Sequence, residues 1–202
     1  MLPASRSGAA LDVGCGAGDN ARILAEHGWT VHGITLSQVE HASAVHVCSK
    51  VWVHDLDTGL PQETEGQYDL AVFSHVLEHL RTPESLLRQI SRVLRPGGQI
   101  IVALPNVLNW HQRVLFLLGR FNYTDQGIMD VTHLRFYTYS SGRAMLEACG
   151  FRVVSAKTAG SVLPWGPIRR VIPSFTSAVD RFFCLIRPGL FGRQLLYLAV
   201  AE

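Results

Sequence analysis

The chain has 202 residues, of which 48% are hydrophobic and 17% charged, and its formal net charge is +2. This composition predicts one domain with a sizeable core and excludes an intrinsically disordered chain. The mean hydropathy is +0.17, yet no uncharged apolar run approaches the ~18–20 residues of a transmembrane helix. The first residues lack the pattern of a secretory signal, so we expect a cytoplasmic protein without a transmembrane segment.

Charge is divided unevenly between the two halves of the chain. Residues 1–105 contain 7 basic and 11 acidic residues, whereas residues 106–202 contain 11 basic and 5 acidic residues. A basic second half indicates an anionic partner, although a solvated surface would give the same pattern.

The cysteine spacing gives no sign of a metal or redox centre. The four cysteines include no C-x-x-C pair, so neither a zinc site nor a redox pair is predicted for Cys15, Cys48, Cys149 and Cys184. Because a core of this size needs no disulfide, we expect four reduced thiols.

The first half of the chain alternates strand-like and helix-like segments. Strands are predicted at residues 9–13, 30–36, 51–54, 68–73 and 99–104, and helices at residues 19–27 and 83–94. A further helix begins after Ser37, where Glu40 completes a capping-box pattern. Thr82 is the expected N-cap of the helix at 83–94, and the glycines at 97 and 98 end it. This alternation indicates βαβ units and a parallel sheet.

The second half is less regular. Helices are predicted at residues 109–118 and 140–149, and strands at residues 151–158 and 194–201. Two irregular segments, residues 106–139 and the proline-interrupted residues 160–192, are too long for plain connections. We interpret both segments as insertions that cover a site.

A glycine-rich turn follows the first predicted strand. Gly14, Gly16 and Gly18 allow positive φ angles and a close approach of ligand to backbone, next to the positive end of a helix dipole. A dinucleotide fold requires G-x-G-x-x-G and an acid after the second strand, but here Asp19 follows Gly18 and Thr35 takes the acidic position. The pattern therefore disfavours NAD. The alternative that the glycines only pack helix against strand stays open.

Five segments in register carry a family resemblance. They are residues 11–18 (LDVGCGAG), residues 31–37 (VHGITLS), residues 54–56 (HDL), residues 68–80 (YDLAVFSHVLEHL) and residues 94–98 (LRPGG). Together they resemble class I S-adenosylmethionine-dependent methyltransferases. The resemblance implies a Rossmann-like seven-stranded sheet whose last strand, residues 194–201, runs antiparallel.

The resemblance also implies cofactor contacts. Asp12 would anchor the amino group, the turn of Gly14, Cys15, Gly16 and Gly18 would surround the methionine moiety, and Thr35 and Leu36 would contact the ribose. Asp55 would accept from the adenine amine, Leu56 would lie against the ring, and Ser74 and His75 would line the pocket beside the sulfonium. Thr35 departs from the family, since most members carry an acid there to hold both ribose hydroxyls.

A second resemblance concerns residues 127–138 (GIMDVTHLRFYT), which are similar to a D-x-T-H-x-R-F segment of a methyltransferase subgroup. We predict His133 or His75 as the catalytic imidazole, because histidine suits proton transfer near neutral pH. Asp130 would orient the His133 ring. The alternative for this segment is a structural network that holds a lid.

Three residues are predicted to contact the acceptor, namely Arg135, Tyr137 and Trp110. Arg135 would bind an anionic group, and Trp110 lies on an apolar helix face. That helix face could clamp a lipid-linked or aromatic acceptor, touch a membrane surface or belong to the core. Some quinone-biosynthesis O-methyltransferases hold a metal in an E-x-x-E-H pattern. Here His75 replaces its first acid, before Glu78 and His79, so we expect no metal.

The resemblance and the insertions define one methyltransferase domain over residues 1–202. Residues 1–105 would bind the cofactor, and residues 106–139 and 160–192 would form the acceptor site and lid. The expected reaction moves a methyl group from S-adenosylmethionine to a small molecule. The favoured acceptor atom is an oxygen of a saccharide, lipid-linked or secondary-metabolite substrate. The expected protein is a monomer or homodimer.

The sequence bears on three other functions. A cofactor-binding but non-catalytic partner subunit of a biosynthetic complex remains an alternative, and an NAD-dependent oxidoreductase is the weaker one. Nucleic-acid methylation is disfavoured, because residues 73–76 (FSHV) stand where an N-P-P-Y tetrapeptide would be and the chain has no long basic tract.

Overall fold

A computed structural model describes residues 7–64, 66–162 and 166–202. Seven strands form one sheet in the order β3-β2-β1-β4-β5-β7-β6. They are β1 (Gly8–Val13), β2 (Trp29–Thr35), β3 (Lys50–Val53), β4 (Tyr68–Ser74), β5 (Leu94–Pro105), β6 (Phe151–Ala159) and β7 (Gln194–Ala201). Strand β7 runs antiparallel to β5 and β6, and the strands from β3 to β5 pair in parallel. The predicted Rossmann-like sheet is confirmed.

The described helices lie between the strands and in the two long insertions. They are α1 (Asp19–Glu26), α2 (Gln38–Ala44), α3 (Pro83–Val93), α4 (Trp110–Leu117), α5 (Tyr139–Ala148), α6 (Ile168–Val171), α7 (Pro173–Ile186) and α8 (Pro188–Phe191). Across the described ranges, no helix combines the length and apolar character needed to cross a bilayer.

The segment at 160–192 is more regular than its prolines suggested. Where the structure describes it, this segment forms α6, α7 and α8. Pro173 and Pro188 are the first residues of α7 and α8. Proline is well tolerated there, because its missing N–H would have no helical partner and its φ angle already suits a helix.

Two boundary signals behave differently from expectation. Strand β5 begins at Leu94 and includes the glycine turn at 97 and 98, with a register shift against β4 between Tyr68 and Leu70. Thr82 precedes α3, but its side chain makes no capping hydrogen bond there. The first residue of the helix, Pro83, has no backbone N–H that would require such a partner.

The sheet is buried on both faces, as parallel sheets are. Along β4, Leu70 and Val72 join one core cluster, which includes residues of α1, whereas Ala71 and Phe73 join the other, which includes residues of α3 and α5. With both faces covered, the carboxyl ends of the parallel strands are the edge where loops enclose a ligand.

Candidate active site

A cavity of about 390 Å³ opens at the carboxyl ends of β1, β2 and β4. Its lining includes seven residues predicted to contact a cofactor, namely Gly14, Gly16, Thr35, Leu36, Asp55, Leu56 and His75. It also includes six that were not predicted to do so, namely Glu40, His54, Asp57, Val76, His79 and Leu80. We refer to this space as the cofactor cavity.

The glycine turn forms one wall of this cavity. The amides of Gly14 and Cys15 both donate to the carbonyl of Ile34, at 2.9 and 2.8 Å, which joins the turn to β2. Gly14 has φ +78°, and a Cβ atom there would lie 2.4 Å from Cγ2 of Val76. Only glycine fits this position, because any side chain would overlap the opposite wall.

Glu40 is one of the six lining residues that the sequence did not assign to the cofactor site. The Thr35 hydroxyl donates to Oε2 of Glu40 at 2.6 Å, so a carboxylate stands beside the end of β2. Only half of the expected capping box forms. Ser37 Oγ accepts from the Glu40 amide at 3.3 Å, whereas the Glu40 carboxylate extends to Thr35. Glu40 belongs to α2, five residues after Thr35 along the chain, and it lines the cofactor cavity.

Asp55 is positioned by the turn that follows β3. Its Oδ1 accepts from the amide of Asp57 at 2.9 Å and caps a short 3₁₀ turn at Leu56–Thr58. This cap points residues 54–57 toward the cavity that they line. Asp55 and Leu56 therefore belong to the lining of the cofactor cavity.

Four of the predicted cofactor residues are not among the residues that line this cavity. Asp12 is fully buried, and neither of its oxygens has a well-formed hydrogen bond within the described ranges. Burial raises the pKa of its carboxyl to about 7, and the Ala21 amide offsets this only in part. The other three are Cys15, Gly18 and Ser74.

Cys15 lies next to Cys48 under the glycine turn. Both thiols are buried, and a Cβ atom on Gly33 would lie 2.7 Å from one sulfur and 3.2 Å from the other. The interaction of the two thiols raises the pKa of Cys15 and lowers that of Cys48. The sequence spacing gave no sign of this pair.

A second cavity of about 400 Å³ adjoins the first. It is lined by His75, His79, Pro105, Gly127, Ile128, Asp130, His133, Arg193 and Gln194. His75 and His79 line both cavities. We refer to the second space as the acceptor cavity, because its contents would face a ligand in the cofactor cavity across these two imidazoles.

His75 is held on both sides of its ring. Its Nδ1 donates to Oε1 of Glu78 at 3.0 Å, since a carboxylate only accepts, and the Gln194 amide donates to its Nε2. His75 also has φ +57°, an uncommon value for a residue with a side chain. The ring is therefore positioned by contacts from β7 as well as from its own loop.

Hydrogen bonds assign the tautomers of His133 and His79. Nδ1 of His133 lies 3.1 Å from the Ile128 carbonyl, and Nδ1 of His79 lies 3.0 Å from the Thr132 hydroxyl. The Ile128 carbonyl can only accept, so Nδ1 of His133 must donate to it. The Thr132 hydroxyl donates its own proton to Asp130 at 2.6 Å, so Nδ1 of His79 must donate to that hydroxyl. In the neutral form of each ring, this tautomer has its lone pair on Nε2, where it can accept a proton or bind a metal.

The role expected of Asp130 changes with this geometry. Its carboxylate accepts from the amide and the hydroxyl of Thr132, which hold the pKa of Asp130 below its usual range. The Ile128 carbonyl, not Asp130, orients His133. Asp130 instead orients His79 through Thr132.

Glu78, His79 and His133 could hold a cation. One ligand atom from each lies within 4.8 Å of the others, and the two imidazole rings are 4.7 Å apart. Glu78 is fully buried, and its Oε2 has no hydrogen-bond partner among the described residues. One carboxylate and two imidazoles fit a divalent metal, although the sequence predicts no metal here. The third ligand is His133, from the second half of the chain, and not His75.

The three residues predicted to contact the acceptor lie elsewhere. Arg135 donates to the Arg81 carbonyl at 2.6 Å and lies 3.6 Å from Glu84. Trp110 donates its indole N–H to the Val162 carbonyl at 2.7 Å. Tyr137 is a core residue, and burial raises the pKa of its hydroxyl. Arg193 is the basic side chain in the lining of the acceptor cavity.

A third cavity of about 380 Å³ shares Gly127, Ile128 and Arg193 with the acceptor cavity. Its lining includes apolar side chains of α4, such as Leu115 and Phe116, as well as Arg120. The acceptor space thus continues toward α4 and combines apolar walls with arginines.

Comparisons with known proteins agree with this geometry. Residues 1–156 match the model of a family described as a methyltransferase domain. The chain belongs to this methyltransferase family. The family and the class I fold together identify S-adenosylmethionine as the cofactor, and the glycine turn, Glu40 and Asp55 around the cofactor cavity fit a nucleoside that carries an amino acid.

Among curated proteins, this methyltransferase is 31% identical over 108 residues to the ubiquinone biosynthesis O-methyltransferase of Pseudomonas paraeruginosa. The match covers 48% of the chain and 44% of the relative, so the chain spans about half the length of the curated relatives it matches.

Solved structures share the fold at low identity. An S-adenosylmethionine-dependent methyltransferase from Mesorhizobium loti superimposes with a TM-score of 0.65 at 20% identity, covering 99% of this chain and 94% of that one. A 1,6-didemethyltoxoflavin-N1-methyltransferase from Burkholderia thailandensis, with its substrate and S-adenosylhomocysteine bound, gives 0.62 at 17% identity, covering 98% and 72%.

Proposed function

We propose that this methyltransferase moves the methyl group of S-adenosylmethionine to an oxygen of a small, amphiphilic acceptor. One observation carries the proposal. The cofactor cavity and the acceptor cavity meet at His75 and His79, so an acceptor in one can face a sulfonium in the other. Methyl transfer depends on this in-line placement, because the sulfonium is already activated.

The cofactor side of the proposal rests on charge and hydrogen bonding. Glu40, held by Thr35, would accept from the ribose hydroxyls, and Asp55 would accept from the adenine amine. Carboxylates make the stronger, charge-assisted hydrogen bonds to such donors. Gly14 and Gly16 would leave space for the methionine moiety.

The chemical step needs a proton acceptor when the substrate is a hydroxyl. As the S–CH₃ bond breaks and the O–CH₃ bond forms, the hydroxyl proton would move to Nε2 of His133, and the cofactor would leave as a neutral thioether. His133 lines the acceptor cavity, and its donated Nδ1–H leaves Nε2 free to accept.

The same atoms also suit a cation, which would bind through Glu78, His79 and His133 and lower the pKa of a coordinated hydroxyl. The unpartnered Oε2 of Glu78 favours this variant of the proposal. Dialysis against EDTA separates the two variants. If turnover is retained after dialysis, His133 is the proton acceptor. If turnover is lost and Mn²⁺ restores it, a bound cation activates the hydroxyl.

The walls of the acceptor space favour an anionic, partly apolar substrate. Arg193 and Arg120 supply positive charge, and Leu115, Phe116 and Ile128 supply apolar surface. A lipid-linked acceptor with an acidic head group would match both features. The oxygen as methyl acceptor is supported by the name of the curated relative.

Two measurements test the proposal. Calorimetry should show binding of S-adenosylhomocysteine and none of NAD. Methyl-labelled cofactor, offered with hydroxylated aromatic, saccharide and lipid acceptors, should transfer label to at least one of them. Binding without transfer to any acceptor would instead support the non-catalytic partner subunit, and binding of NAD alone would contradict both.

A further inference from the structure

Helix α7 carries its apolar stripe on the outside of the molecule. The side chains buried against the fold are Thr176, Asp180 and Cys184, one every four residues. The large apolar side chains face solvent at Phe175, Phe182, Leu185 and Ile186. Their spacing of 7, 3 and 1 residues places all four on one face of a helix with 3.6 residues per turn. This is the reverse of an ordinary surface helix.

Helix α6 and the residue after it extend the apolar area. Ile168, Val171 and Ile172 are exposed immediately before α7 begins. We define the α6–α7 surface by these three residues together with Phe175, Phe182, Leu185 and Ile186. These seven large apolar side chains are exposed on α6, on α7 and at the residue between them. A soluble monomer rarely exposes so much apolar surface in one region.

The exposed charges of the segment that carries this surface have one sign. Residues 166–193 contain five arginines and a single acid, Asp180. Asp180 is turned inward, where it accepts from the Val162 amide at 2.9 Å and pairs with Arg169. Arg170 and Arg181 are exposed beside the apolar residues. Apolar residues flanked by arginines are typical of helices that lie in the interface of anionic bilayers.

We propose that the α6–α7 surface docks on an anionic lipid bilayer. Phe182 and Leu185 would enter the boundary between head groups and acyl chains, and Arg170 and Arg181 would contact lipid phosphates. Self-association through this surface is disfavoured, because it would bring the arginines of two copies together. The inference does not depend on methyl transfer or on the nature of the acceptor.

Co-sedimentation with vesicles tests the proposal on the full chain. The wild type should bind vesicles containing 30% phosphatidylglycerol and leave phosphatidylcholine vesicles unbound, and its binding should weaken as salt rises. The double variant Phe182→Ser, Leu185→Ser should lower the partition coefficient at least about tenfold. Arg170→Gln with Arg181→Gln should also lower it, and only for the anionic vesicles.

A matched control removes equally exposed apolar residues far from this surface. Ile23 on α1 and Val39 on α2 are 50% and 82% exposed, compared with 59% for Phe182 and 82% for Leu185. Ile23→Ser with Val39→Ser should bind vesicles as the wild type does. Circular dichroism and S-adenosylhomocysteine binding verify that each variant is folded.

Three results would overturn the proposal. They are failure of the wild type to bind anionic vesicles, equal loss of binding in the control variant, and a dimer in light scattering that the Phe182 and Leu185 changes convert to a monomer. The last result would assign the surface to a second copy of the chain. Because vesicle binding is measured without methyl transfer, its failure leaves the proposed function untouched.

Discussion

The hydroxyl of Thr35 at the end of β2 donates a 2.6 Å hydrogen bond to the carboxylate of Glu40 on α2. This contact places a negative charge where methyltransferases of this class usually have an acid on the strand itself. We expect Glu40→Ala to weaken S-adenosylhomocysteine binding about tenfold or more, since a charge-assisted hydrogen bond contributes ~1.5–3 kcal/mol. Calorimetry measures the change.

The control for this prediction is Glu26→Gln, which removes one negative charge from an exposed position on α1. It should leave the affinity within about twofold, because an exposed charge at a distance is screened by salt. Equal affinities for Glu40→Ala and the wild type would show that Glu40 has no part in cofactor binding.

Asp12 should make the stability of the cofactor-free protein depend on pH. Burial raises its pKa from 3.8 to about 7, so between these values the folded state binds more protons than the unfolded chain. The free energy of unfolding therefore falls as pH rises from about 4 to 7, by up to about 4 kcal/mol for a shift of this size.

Asp12→Asn should abolish this component, because the amide does not titrate. Urea unfolding at pH 5 and pH 8 provides the measurement. The difference in unfolding free energy between variant and wild type should grow in favour of the variant at the higher pH, and the other titrating groups cancel in this difference. Parallel pH profiles for the two proteins would contradict the assignment.

His133→Ala should separate catalysis from cofactor binding. Loss of a general base lowers turnover by ~10²–10⁴-fold, while S-adenosylhomocysteine affinity should stay unchanged because His133 lies outside the lining of the cofactor cavity. His27→Ala, an exposed histidine at the end of α1, is the matched control and should keep full turnover. Unchanged turnover in His133→Ala would remove this residue from the chemistry.

Gly14→Ala should destabilise the fold more than Gly97→Ala does. The two glycines have φ values of +78° and +76°, so both alanines carry a similar backbone penalty of ~1–2 kcal/mol. Only at Gly14 would the new Cβ also overlap a side chain, Cγ2 of Val76 at 2.4 Å, whereas the space at Gly97 is open. Urea unfolding of both variants measures the difference.

A second-site change tests the cause at Gly14. If the overlap with Val76 is responsible, then Gly14→Ala combined with Val76→Ala should recover part of the lost stability, a coupling that independent sites do not show. Additive losses in the double variant would assign the whole effect to the backbone.

Strands, most helices and the glycine turn follow from local patterns, and the sequence indicates them correctly. Helix α7 was missed because prolines were interpreted as interruptions, although Pro173 stands at the first helical position. The acceptor contacts were missed for a different reason. Arg135 and Trp110 have the right chemistry, but carbonyl groups of Arg81 and Val162 hold their side chains away from the cavity.

Taken alone, the sequence determines the order of the strands along the chain, the need for glycine at the turn and the family to which the chain belongs. These properties depend on neighbours a few residues apart, where periodicity and backbone geometry act directly. Only the tertiary structure decides that Glu40 lies beside Thr35 at the cofactor cavity, that Cys15 lies beside Cys48 and that His79 contacts His133, 54 residues away along the chain. Such meetings depend on how distant loops pack at one edge of the sheet, and no local pattern encodes that packing.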